Sequence, residues 1–565
     1  MKKYAVRPIS NNKDALKSFS PLLQSLLISR GIETQEEANI FLNPDYDIHT
    51  HDPYLFADME KAVLRVLKAI ENKEKILIYS DYDADGIPGA VLFSDFFKKI
   101  GYSNVEVYIP HRHNEGYGLH LEAIDTFKDK GISLLITIDC GIVNNKEVEQ
   151  AQLHGIDVII TDHHEPKEKL PPAYAVLNPK RSDCVYPEKM LCGSGVIFKF
   201  IQAILSKKDF GLKKGTEKWF LDMVGIATLS DMVPLTGENR VFAHFGLKVL
   251  RKSPRPGLQR LLRVLNINQR YLSEDDVGFM ITPRINAASR MGHPQDAFNF
   301  LSEDDPVKAI ASADYLNKIN DERKGVVASI VKDIKKRIGS MTEGVRSVYV
   351  AGSMDWRPGV LGLAANSIAE EIKRPVFLWG QDGGEEIKGS CRSYGNVNLF
   401  GLMEKAKHAF IEFGGHKLAG GFSLTKDSIH TLEDDLVKAC ENVQDDGLNE
   451  TVDLDREFDL HDVTWGTWND IDKLSPFGIG NPKPLFIFKN VTPKAVKMFG
   501  KQKNHLDLSF EREMDKPVRA IGFFMNPEQF KNKPEAGKKC DLVATMEKSF
   551  WMNRPELRLR IVDIL

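Results

Sequence analysis

Between residues 55 and 164, short apolar segments alternate with amphipathic helical patterns, and this alternation restricts the possible folds more than any other feature. The predicted strands are 75–80, Val105–Pro110, Ile132–Ile138 and Ile156–Thr161, and the predicted helices are Met59–Glu71, Pro88–Ile100, Leu121–Lys130 and Asn145–His154. Strands that alternate with helices of this length predict a mostly parallel sheet that is covered by helices on both faces.

Polar side chains follow three of these strands. They are Asp81, Asp83 and Asp85 after the first strand, Asp139 after the third, and Asp162, His163 and His164 after the fourth. The carboxyl ends of parallel strands form the usual ligand site of such sheets, and carboxylates that converge there need a cation to offset their repulsion. An acidic surface turn is the alternative for Asp81–Gly86 alone. Three strand ends in agreement favour a metal site.

A further carboxylate follows a predicted apolar helix over Thr216–Val233. The residues expected to pack inward are Trp219, Phe220, Met223, Val224, Ile226, Ala227 and Leu229. Asp231 lies near the end of this helix, where apolar neighbours and the negative end of the helix dipole both disfavour an anion. Asp231 is therefore a candidate metal ligand, and an ordinary surface aspartate is the alternative.

Two later segments have the composition of anion-binding sites. Arg284, Asn286 and Arg290 lie in a segment that we interpret as rich in turns, and Ser390 and Arg392 lie in a predicted Gly-Ser-x-Arg-Ser turn. Guanidinium groups, hydroxyls and backbone N–H groups together bind phosphate or carboxylate. Solvated surface charge is the alternative for the arginines.

A long charged helix, Pro306–Ile338, ends at Gly339 and is predicted to connect two globular lobes. The second lobe begins near Arg346, with predicted strands Val348–Ala351 and Pro375–Trp379 and a helix between them that ends at Lys373. His416 lies among the glycines of Phe413–Phe422, which allow a close backbone approach to a ligand. The second lobe is predicted to bind phosphate or nucleotide.

Residues 451–565, after a polar boundary at Asp445–Asn449, read as short strands in which basic and aromatic residues alternate. The strands are Leu485–Phe488, Ala495–Phe499, His505–Glu511, Val518–Phe524, Asp541–Ser549 and Arg558–Ile564. The basic and aromatic residues are Lys497, Phe499, Lys501, Lys503, His505, Phe510, Phe523, Phe524, Trp551, Arg554, Arg558 and Arg560. This pattern predicts an oligonucleotide-binding barrel, and a barrel whose aromatic residues form only its core is the alternative.

The composition narrows the class of protein. A chain of 565 residues predicts three or four domains, and a net charge of −3 means that any nucleic-acid site is a local basic surface. No apolar run approaches the ~20 residues of a membrane span, and the N-terminus lacks a signal-peptide pattern. The six cysteines form no C-x-x-C pair, which fits a cytoplasmic location.

Ten segments, in this order, resemble the DHH phosphoesterase superfamily and, within it, the RecJ family of bacterial single-strand-specific 5′→3′ exonucleases. They are Asp81–Gly86, Tyr108–Arg112, Glu115–Gly118, Asp139–Gly141, Asp162–His164, Ser230–Leu235, Pro283–Arg290, Gly389–Ser393, Gly414–Gly420 and Phe477–Pro482. The resemblance implies two α/β lobes, a parallel-sheet DHH domain and a smaller DHH-associated domain, which are joined by a long helix and followed by an OB-fold-like β-barrel. The implied boundaries are 1–50 for an N-terminal helical extension, 51–235 for the catalytic DHH domain, 236–340 for the helical connector, 341–447 for the DHH-associated domain and 450–565 for the OB-fold domain.

The resemblance also implies roles for individual residues. The ligands of two divalent metals would be Asp83, Asp85, Asp139, His163 and Asp231, with Asp139 shared between the metals and Asp81 at their side. His164 would face the scissile phosphate, and His164, Asp83 and Asp139 would be the catalytic residues. Asp162 would support the site without being a metal ligand. Phosphates of the strand would be held by Arg112, Arg284, Asn286, Arg290, Ser390, Arg392 and His416. A carboxylate-rich set with histidine favours Mn²⁺, with Mg²⁺ as the second choice.

The expected reaction is in-line attack of water next to the 5′ end of single-stranded DNA, with release of 5′-mononucleotides, in DNA repair and recombination. The expected partners are a single-strand-binding protein and a helicase, and the expected state is a monomer without membrane contact. Arg357, Cys391 and Ser289 depart from the family pattern at the substrate end. The alternatives are a DHH phosphodiesterase of oligonucleotides or cyclic dinucleotides, and a non-catalytic replication scaffold.

Overall fold

The structure is a computed structural model that describes residues 3–8, 16–341, 344–383, 386–440, 451–500, 503–512, 515–551 and 554–565. The predicted boundary at Asp445–Asn449 and the basic residue Lys501 lie outside the described residues, as do the side chains of Trp551 and Arg554. The chain forms two compact units. The large unit comprises Asp52–Asp231 and Gly246–Leu448, and the small unit comprises Met1–His51, Met232–Phe245 and Asn449–Leu565.

The α-helices and β-strands have the following bounds. The helices are α1 Pro21–Ile28, α2 Gln35–Leu42, α3 Met59–Glu71, α4 Gly86–Lys99, α5 Leu121–Asp129, α6 Asn145–Leu153, α7 Gly193–Lys207, α8 Leu221–Ser230, α9 Gly237–Leu250, α10 Pro256–Val264, α11 Thr282–Met291, α12 Gln295–Ser302, α13 Pro306–Gly339, α14 Pro358–Ile372, α15 Leu399–Lys405, α16 Leu432–Cys440 and α17 Trp465–Asp472. The strands are β1 Lys3–Val6, β2 Ile76–Ser80, β3 Val105–Tyr108, β4 Leu134–Ile138, β5 Asp157–Thr161, β6 Ala175–Leu177, β7 Tyr349–Ser353, β8 Val376–Gly380, β9 Ile387–Arg392, β10 Glu412–Gly415, β11 Ala419–Leu424, β12 Thr451–Leu454, β13 Arg456–Glu457, β14 Phe486–Val491, β15 Ala495–Phe499, β16 His505–Arg512, β17 Asp515–Gly522, β18 Cys540–Trp551 and β19 Arg554–Ile564. None of the described helices is long and apolar enough to cross a lipid bilayer.

The first sheet of the large unit is parallel, as predicted, with strand order β3-β2-β4-β5-β6. Every residue of β2 and β4 is buried, which explains why these strands are apolar runs without alternation. Ser80 pairs with Ile138, and Ile138 pairs with Thr161. The residues that follow these three strands therefore lie side by side at one edge of the sheet.

The predicted single helix over Thr216–Val233 is wrong at both ends. Residues Thr216–Phe220 form a 3₁₀ turn, and α8 begins only at Leu221. Trp219 was expected to pack inward but is 54% exposed, because the tighter turn removes it from the periodicity of α8. Asp231 caps the C-terminus of α8, as expected.

The segment that carries Arg284 and Arg290 is helical, and the prediction of a turn-rich segment is wrong. A π-helical stretch, Asp276–Ile281, runs directly into α11. Pro283 lies in the first turn of α11, where its missing N–H costs no hydrogen bond. The long helix α13 is confirmed, with Asp305 as its N-terminal cap.

The second sheet of the large unit is mixed, with strand order β10-β11-β9-β8-β7. The Gly-Ser-x-Arg segment was predicted as a turn but forms β9, which pairs antiparallel with both β8 and β11. Small residues made this segment look like a turn, yet they are required by close packing. A Cβ on Gly389 would overlap the ring of Phe422.

The small unit combines the N-terminal residues with the C-terminal sheet. Strand β1, which was not predicted from the sequence, pairs in parallel with β12. The apolar face of α1, formed by Leu23, Leu26 and Leu27, packs in the same core as Phe486 and Phe510. The N-terminal helices therefore belong structurally to the C-terminal domain.

The C-terminal sheet has seven strands in the order β13-β14-β18-β19-β17-β16-β15. Within the described residues no hydrogen bonds join β15 to β13 or β14, so the strands of the predicted OB-fold-like domain form an open sheet and do not close into a barrel. Val496 and Met498 of β15 pack against the core of the unit, but every residue of β15 is at least partly exposed, and among the described strands it pairs only with β16.

Candidate metal centre

The loop between β2 and α4 carries the first three carboxylates. The Oδ1 atom of Asp83 accepts hydrogen bonds from the N–H groups of Asp85 at 2.8 Å and Gly86 at 3.2 Å. A Cβ on Gly86 would lie 2.5 Å from the carbonyl oxygen of Asp81, so glycine is required there. Asp81 and Asp85 are buried and Asp83 is partly exposed. The folded loop keeps all three carboxylates at the edge of the sheet.

The carboxylate of Asp85 is held by the N-terminus of α7. Its Oδ2 atom accepts a hydrogen bond from the N–H of Gly193 at 2.6 Å, and its Oδ1 atom accepts one from the N–H of Ser194 at 2.7 Å. The first N–H groups of a helix have no partner within the helix and carry its positive dipole end. Gly193 and Ser194 were not predicted from the sequence. The signal that could have revealed them is the run of small residues Cys192–Gly195 before an apolar helix.

Asp139 lies between the two sides of the site. It has a φ of +61°, which a residue other than glycine adopts only when its surroundings enforce it. Its N–H donates to the carbonyl of Thr161 at 2.9 Å, and the hydroxyl of Tyr117 donates to its carbonyl at 3.1 Å. Its Oδ1 atom is buried and accepts no hydrogen bond, although His163 Nε2 lies 3.1 Å away. Tyr117 belongs to the segment Glu115–Gly118 that resembles the family, but no role was predicted for it from the sequence.

Asp162 acts on the two histidines that follow it. Its Oδ1 atom accepts hydrogen bonds from the N–H of His163 at 2.7 Å, from the N–H of His164 at 3.0 Å and from His164 Nδ1 at 2.8 Å. Its Oδ2 atom accepts one from the N–H of Ile142 at 3.0 Å. Both carboxylate oxygens of Asp162 are therefore engaged within the protein, and the remaining ring nitrogen of His164 is Nε2.

The electrostatics of the site follow from burial and from crowding of like charges. Burial, and then the charge of neighbouring carboxylates, raises the pKa of Asp81 and of Asp139 well above the ordinary value. The same causes raise the pKa of Asp231 to about 8. Desolvation lowers the pKa of His163. For His164, desolvation is outweighed by the hydrogen bond to Asp162 and by nearby carboxylates, and the pKa rises to about 9.

Three overlapping groups of side chains bring their ligand atoms within 4.8 Å of one another. They are Asp139 with His163 and His164, Asp85 with His163 and Asp231, and Asp81 with Asp83 and Asp139. Asp81 Oδ1 and Asp139 Oδ1 are buried oxygens without hydrogen-bond partners, and such atoms in native proteins call for a ligand. A divalent cation fits this set of oxygen and imidazole donors.

Three arginines from different elements form a second group: Arg112 follows β3, Arg290 lies on α11 and Arg392 ends β9. Arg112 lies over the ring of Tyr82, with Cζ 4.8 Å from the ring centre. Arg290 donates to the carbonyl of Gly359 at 3.0 Å, and Arg392 donates to Ser390 Oγ at 3.3 Å. Within the described part of the chain, none of these three arginines has a carboxylate partner. We call Arg112, Arg290, Arg392 and Ser390 the arginine cluster.

Burial and mutual repulsion make the arginine cluster a candidate anion site. Desolvation, and then the positive charges of neighbouring arginines, lowers the pKa of Arg290 to about 9. A Cβ on Gly362 would lie 2.7 Å from Arg392 Nη2 and 3.0 Å from Ser390 Oγ, so glycine leaves room for these groups. Unpaired guanidinium groups in a partly buried position favour phosphate or carboxylate ligands.

Three other residues predicted to bind phosphate lie elsewhere. Arg284 is buried and donates to Asn317 Oδ1 at 3.0 Å and to the carbonyl of Met280 at 2.6 Å, which ties α11 to α13. Asn286 Oδ1 accepts a hydrogen bond from the N–H of Ala84 at 3.0 Å, so it holds the carboxylate loop. His416 is exposed at the turn between β10 and β11.

The three departures from the family pattern leave the arginine cluster intact. Cys391 points into the core of the second sheet, and Ser289 is fully buried in α11. Arg357 forms an ion pair with Asp382 at 2.8 Å. None of the three occupies the position of a cluster side chain.

Three domain families and a solved structure match this chain in the same order of domains. The model of the DHH family, N-terminal domain, matches residues 75–228, the DHHA1 domain matches residues 344–444 and the RecJ OB domain matches residues 454–563. The solved structure of RecJ from Thermus thermophilus in complex with Mn²⁺ shares the fold. Its TM-score is 0.81 at 24% identity, and the match covers 100% of this chain and 79% of that one.

Curated relatives cover most of the sequence. The single-stranded-DNA-specific exonuclease RecJ of Bacillus subtilis is 33% identical over 560 residues, which is 98% of this chain and 70% of that protein. The RecJ exonuclease of Haemophilus influenzae is 31% identical over 92% of this chain and 91% of that protein. The chain therefore belongs to the RecJ family of single-stranded-DNA-specific exonucleases, within the DHH family.

Proposed function

We propose that the protein degrades single-stranded DNA from the 5′ end and releases 5′-mononucleotides, in DNA repair and recombination. The observation that carries this proposal is the proximity of a buried carboxylate–histidine centre to an unpaired arginine cluster. Arg112 lies over the ring of Tyr82, between Asp81 and Asp83 in the chain, and Asn286 of α11, the helix of Arg290, bonds to the N–H of Ala84. The charge of Arg112 acts on Asp81, and the charge of Asp83 acts on Arg290, so the two sets of side chains adjoin. One set suits cations and the other suits the phosphates of a strand.

The metal-holding residues in this proposal are Asp83, Asp85, Asp139, His163 and Asp231, with Asp139 shared between two divalent cations and Asp81 at their side. The solved structures of the Thermus thermophilus RecJ contain Mn²⁺ or Mg²⁺. We expect two Mn²⁺ ions here, with Mg²⁺ as the second choice. When bound, such cations activate water and stabilise the charge that develops on a phosphodiester.

The chain's own groups hold and orient the substrate. Asp162 fixes His164 through Nδ1, so Nε2 of His164 is the ring nitrogen that can donate to an oxygen of the scissile phosphate. Asp162 itself supports the histidines because both of its oxygens are engaged. Ser390 and Arg392 of β9 would bind the 5′ end of the strand.

The rival functions explain less of the chain. A phosphodiesterase of oligonucleotides or cyclic dinucleotides needs no C-terminal sheet, whereas the RecJ OB domain matches residues 454–563. A non-catalytic scaffold needs no metal ligands, whereas all the carboxylates and both histidines expected at the site are present and lie together.

The direct test is digestion of single-stranded DNA labelled at the 5′ or at the 3′ end, with Mn²⁺ and with a blunt duplex as the control. We expect labelled mononucleotide to appear at once from the 5′-labelled strand and only late from the 3′-labelled strand. The duplex should resist. Early release from the 3′ end, or faster cleavage of a dinucleotide than of a long strand, would contradict the proposal.

Tyr117→Phe is expected to lower kcat about 5-fold with little change in KM. The change removes the hydrogen bond to the Asp139 carbonyl and the contact of the hydroxyl with His164 Nδ1 at 3.0 Å, and one hydrogen bond contributes about 1 kcal/mol. The matched control is Tyr102→Phe, which also removes a hydroxyl that donates to a backbone carbonyl but lies outside the site. Equal kcat values for the two variants would show that Tyr117 does not position Asp139.

An aromatic surface of the small unit is a candidate platform for DNA bases. His505 lies next to Phe499, Phe523 and Phe524, with ring centres 5.1, 5.4 and 4.8 Å away. Arg560 Cζ lies 4.1 Å from the centre of the Phe523 ring. Phe524 is 77% exposed and has a φ of +55°, and its N–H donates to His505 Nδ1 at 3.0 Å. We propose that this surface stacks on bases of the strand.

Phe524→Ala is expected to weaken equilibrium binding of oligo(dT) about 10-fold, because stacking on one aromatic ring contributes about 1–3 kcal/mol. Turnover of a dinucleotide should not change. Trp465→Ala is the control, since Trp465 is 44% exposed in the same unit but outside the aromatic surface. If both variants bind oligo(dT) as tightly as the wild type, the platform has no role in binding.

The remaining expectations complete the proposal. We expect the protein to act in the cytoplasm as a monomer, together with a single-strand-binding protein and a helicase. All six cysteines are unpaired, which supports a reducing compartment. We also retain the domain boundaries that the resemblance implies: an N-terminal helical extension in 1–50, the catalytic domain in 51–235, the connector in 236–340, the substrate-binding domain in 341–447 and the OB domain in 450–565.

A further inference from the structure

Arg323 lies on the inward face of α13, in a stripe of otherwise uncharged residues. The stripe consists of Leu316, Asn320, Arg323, Val327, Ile330 and Ile334. Four of these six residues are buried, and Arg323 itself is half-buried. A cation in such a position costs free energy unless another group compensates its charge.

No protein group pairs with Arg323 in the described part of the chain. Its Nε atom is buried without a hydrogen-bond partner, and its guanidinium forms no ion pair. The two acidic residues that precede it, Asp321 and Glu322, are exposed and form ion pairs with other residues. Asp321 lies 3.1 Å from Lys324, and Glu322 lies 3.8 Å from Lys318. A ligand from outside the protein would therefore have to compensate the charge of Arg323.

A second unpartnered side chain lies one turn earlier on the same face. Asn320 is fully buried, and neither its Nδ2 nor its Oδ1 atom has a hydrogen-bond partner among the described residues. Buried amides in native proteins are almost always hydrogen-bonded. Two neighbouring polar side chains without partners indicate that a polar ligand completes this part of α13.

The surroundings of Arg323 indicate the charge of that ligand. Helix α13 packs against α11, and Arg284 of α11 donates to Asn317 of α13. The charge of Arg323 also acts on Arg290, a member of the arginine cluster. Arg323 thus extends the cluster onto the connecting helix, and four neighbouring arginines favour a ligand with more than one negative group.

We propose that Arg323, with Asn320 beside it, binds a phosphate group of the single strand and forms a second anion subsite on α13, next to α11, which carries Arg290. The identity of the ligand rests on the proposed function. A guanidinium with free N–H groups binds phosphate oxygens through two parallel hydrogen bonds, and the unpartnered amide of Asn320 lies one turn from Arg323 on the same face of the helix. The sequence alone presents Arg323 as one more charge on a solvated connector.

The test compares Arg323→Gln with Lys324→Gln, which removes the same charge from the outer face of the same helix. Binding of fluorescent oligo(dT) to the full-length, metal-free protein is measured over a range of salt concentrations. We expect Arg323→Gln to weaken binding about 10-fold and to reduce the slope of log K against log salt by about 0.7, the value for one phosphate contact on a single strand. Lys324→Gln should leave both quantities unchanged, and Arg323→Lys should recover most of the slope.

Strands with a 5′-phosphate and with a 5′-hydroxyl separate two sources of the phosphate. An equal loss on both strands assigns Arg323 to an internal phosphodiester, and a loss confined to the phosphorylated strand assigns it to the terminal phosphate. Thermal unfolding gives an independent readout. Arg323→Gln should unfold at the same or a higher temperature, because it removes an uncompensated cation.

Two results would overturn the inference while the proposed function stands. One is a wild-type protein that binds oligo(dT) while Arg323→Gln binds it with the same affinity and salt slope. The other is an unchanged affinity combined with a lower unfolding temperature, which would make Arg323 a structural residue. A wild-type protein that neither binds nor degrades single-stranded DNA would instead refute the proposed function itself.

Discussion

Asp139→Asn is expected to lower the turnover of single-stranded DNA by about 1,000-fold or more. Asp139 belongs to two of the three groups that can hold a cation, and cations at such sites contribute several kcal/mol to phosphodiester cleavage. The measurement is release of mononucleotides from a 5′-labelled strand with saturating Mn²⁺. The control is Asp129→Asn, which changes an exposed carboxylate at the end of α5. Full activity of Asp139→Asn would refute the assignment of this centre as catalytic.

The same substitution should stabilise the metal-free protein. Burial and neighbouring carboxylates raise the pKa of Asp139, which means that its ionised form is disfavoured in the folded state. Asparagine removes that penalty, so the unfolding temperature in the presence of a chelator should rise. Addition of Mn²⁺ should raise the unfolding temperature of the wild type more than that of the variant, because a ligand stabilises only the state that binds it.

Gly193→Ala is expected to lower activity about 100-fold, although no side chain with chemical function is changed. The added methyl group would lie 2.6 Å from Asp139 Cβ and 2.7 Å from Asp139 Oδ1, so Asp139 or the start of α7 must move. A displacement of about 1 Å at a catalytic group can reduce the rate about 100-fold. The measurement is kcat together with the affinity for Mn²⁺, which should also fall.

Gly195→Ala is the matched control because it lies two residues later in the same helix. Its added methyl group would find its nearest neighbour, Cys192 Sγ, at 3.6 Å, which is ordinary van der Waals contact. We expect near-normal activity for Gly195→Ala and a similar change in helix propensity for both variants. If Gly193→Ala and Gly195→Ala lose activity equally, the damage arises from the helix and not from the approach to Asp139.

Much of the metal centre could be predicted from sequence because its signals are local. The residues after β2, β4 and β5 follow directly from strand periodicity, and the in-phase pairing of Ser80, Ile138 and Thr161 brings them together. Because the carboxyl ends of parallel strands lie at the same edge of a sheet, the residues that follow these strands can be expected to lie close together. Asp231 could be identified because a carboxylate next to an apolar helix is locally unfavourable.

The residues that were missed depend on distant parts of the chain. Gly193 meets Asp139 and Asp85 across a long sequence separation, and no local pattern reports such an approach. Arg323 looks like any charged residue of a long helix until the stripe around it is seen to be buried. Small residues misled the prediction at β9, where glycine and serine serve tight strand packing instead of a turn.

The pairing of β1 with β12 has a consequence for how the protein is made. Domains generally fold as units while synthesis proceeds from the N-terminus, yet Leu23, Leu26 and Leu27 pack in a core that consists mostly of residues after position 451. The large unit can therefore fold before the C-terminal residues that pack against the N-terminal helices have been synthesised. A protein shortened at residue 450 would leave these leucines in water, so both ends of the small unit must be kept or removed together.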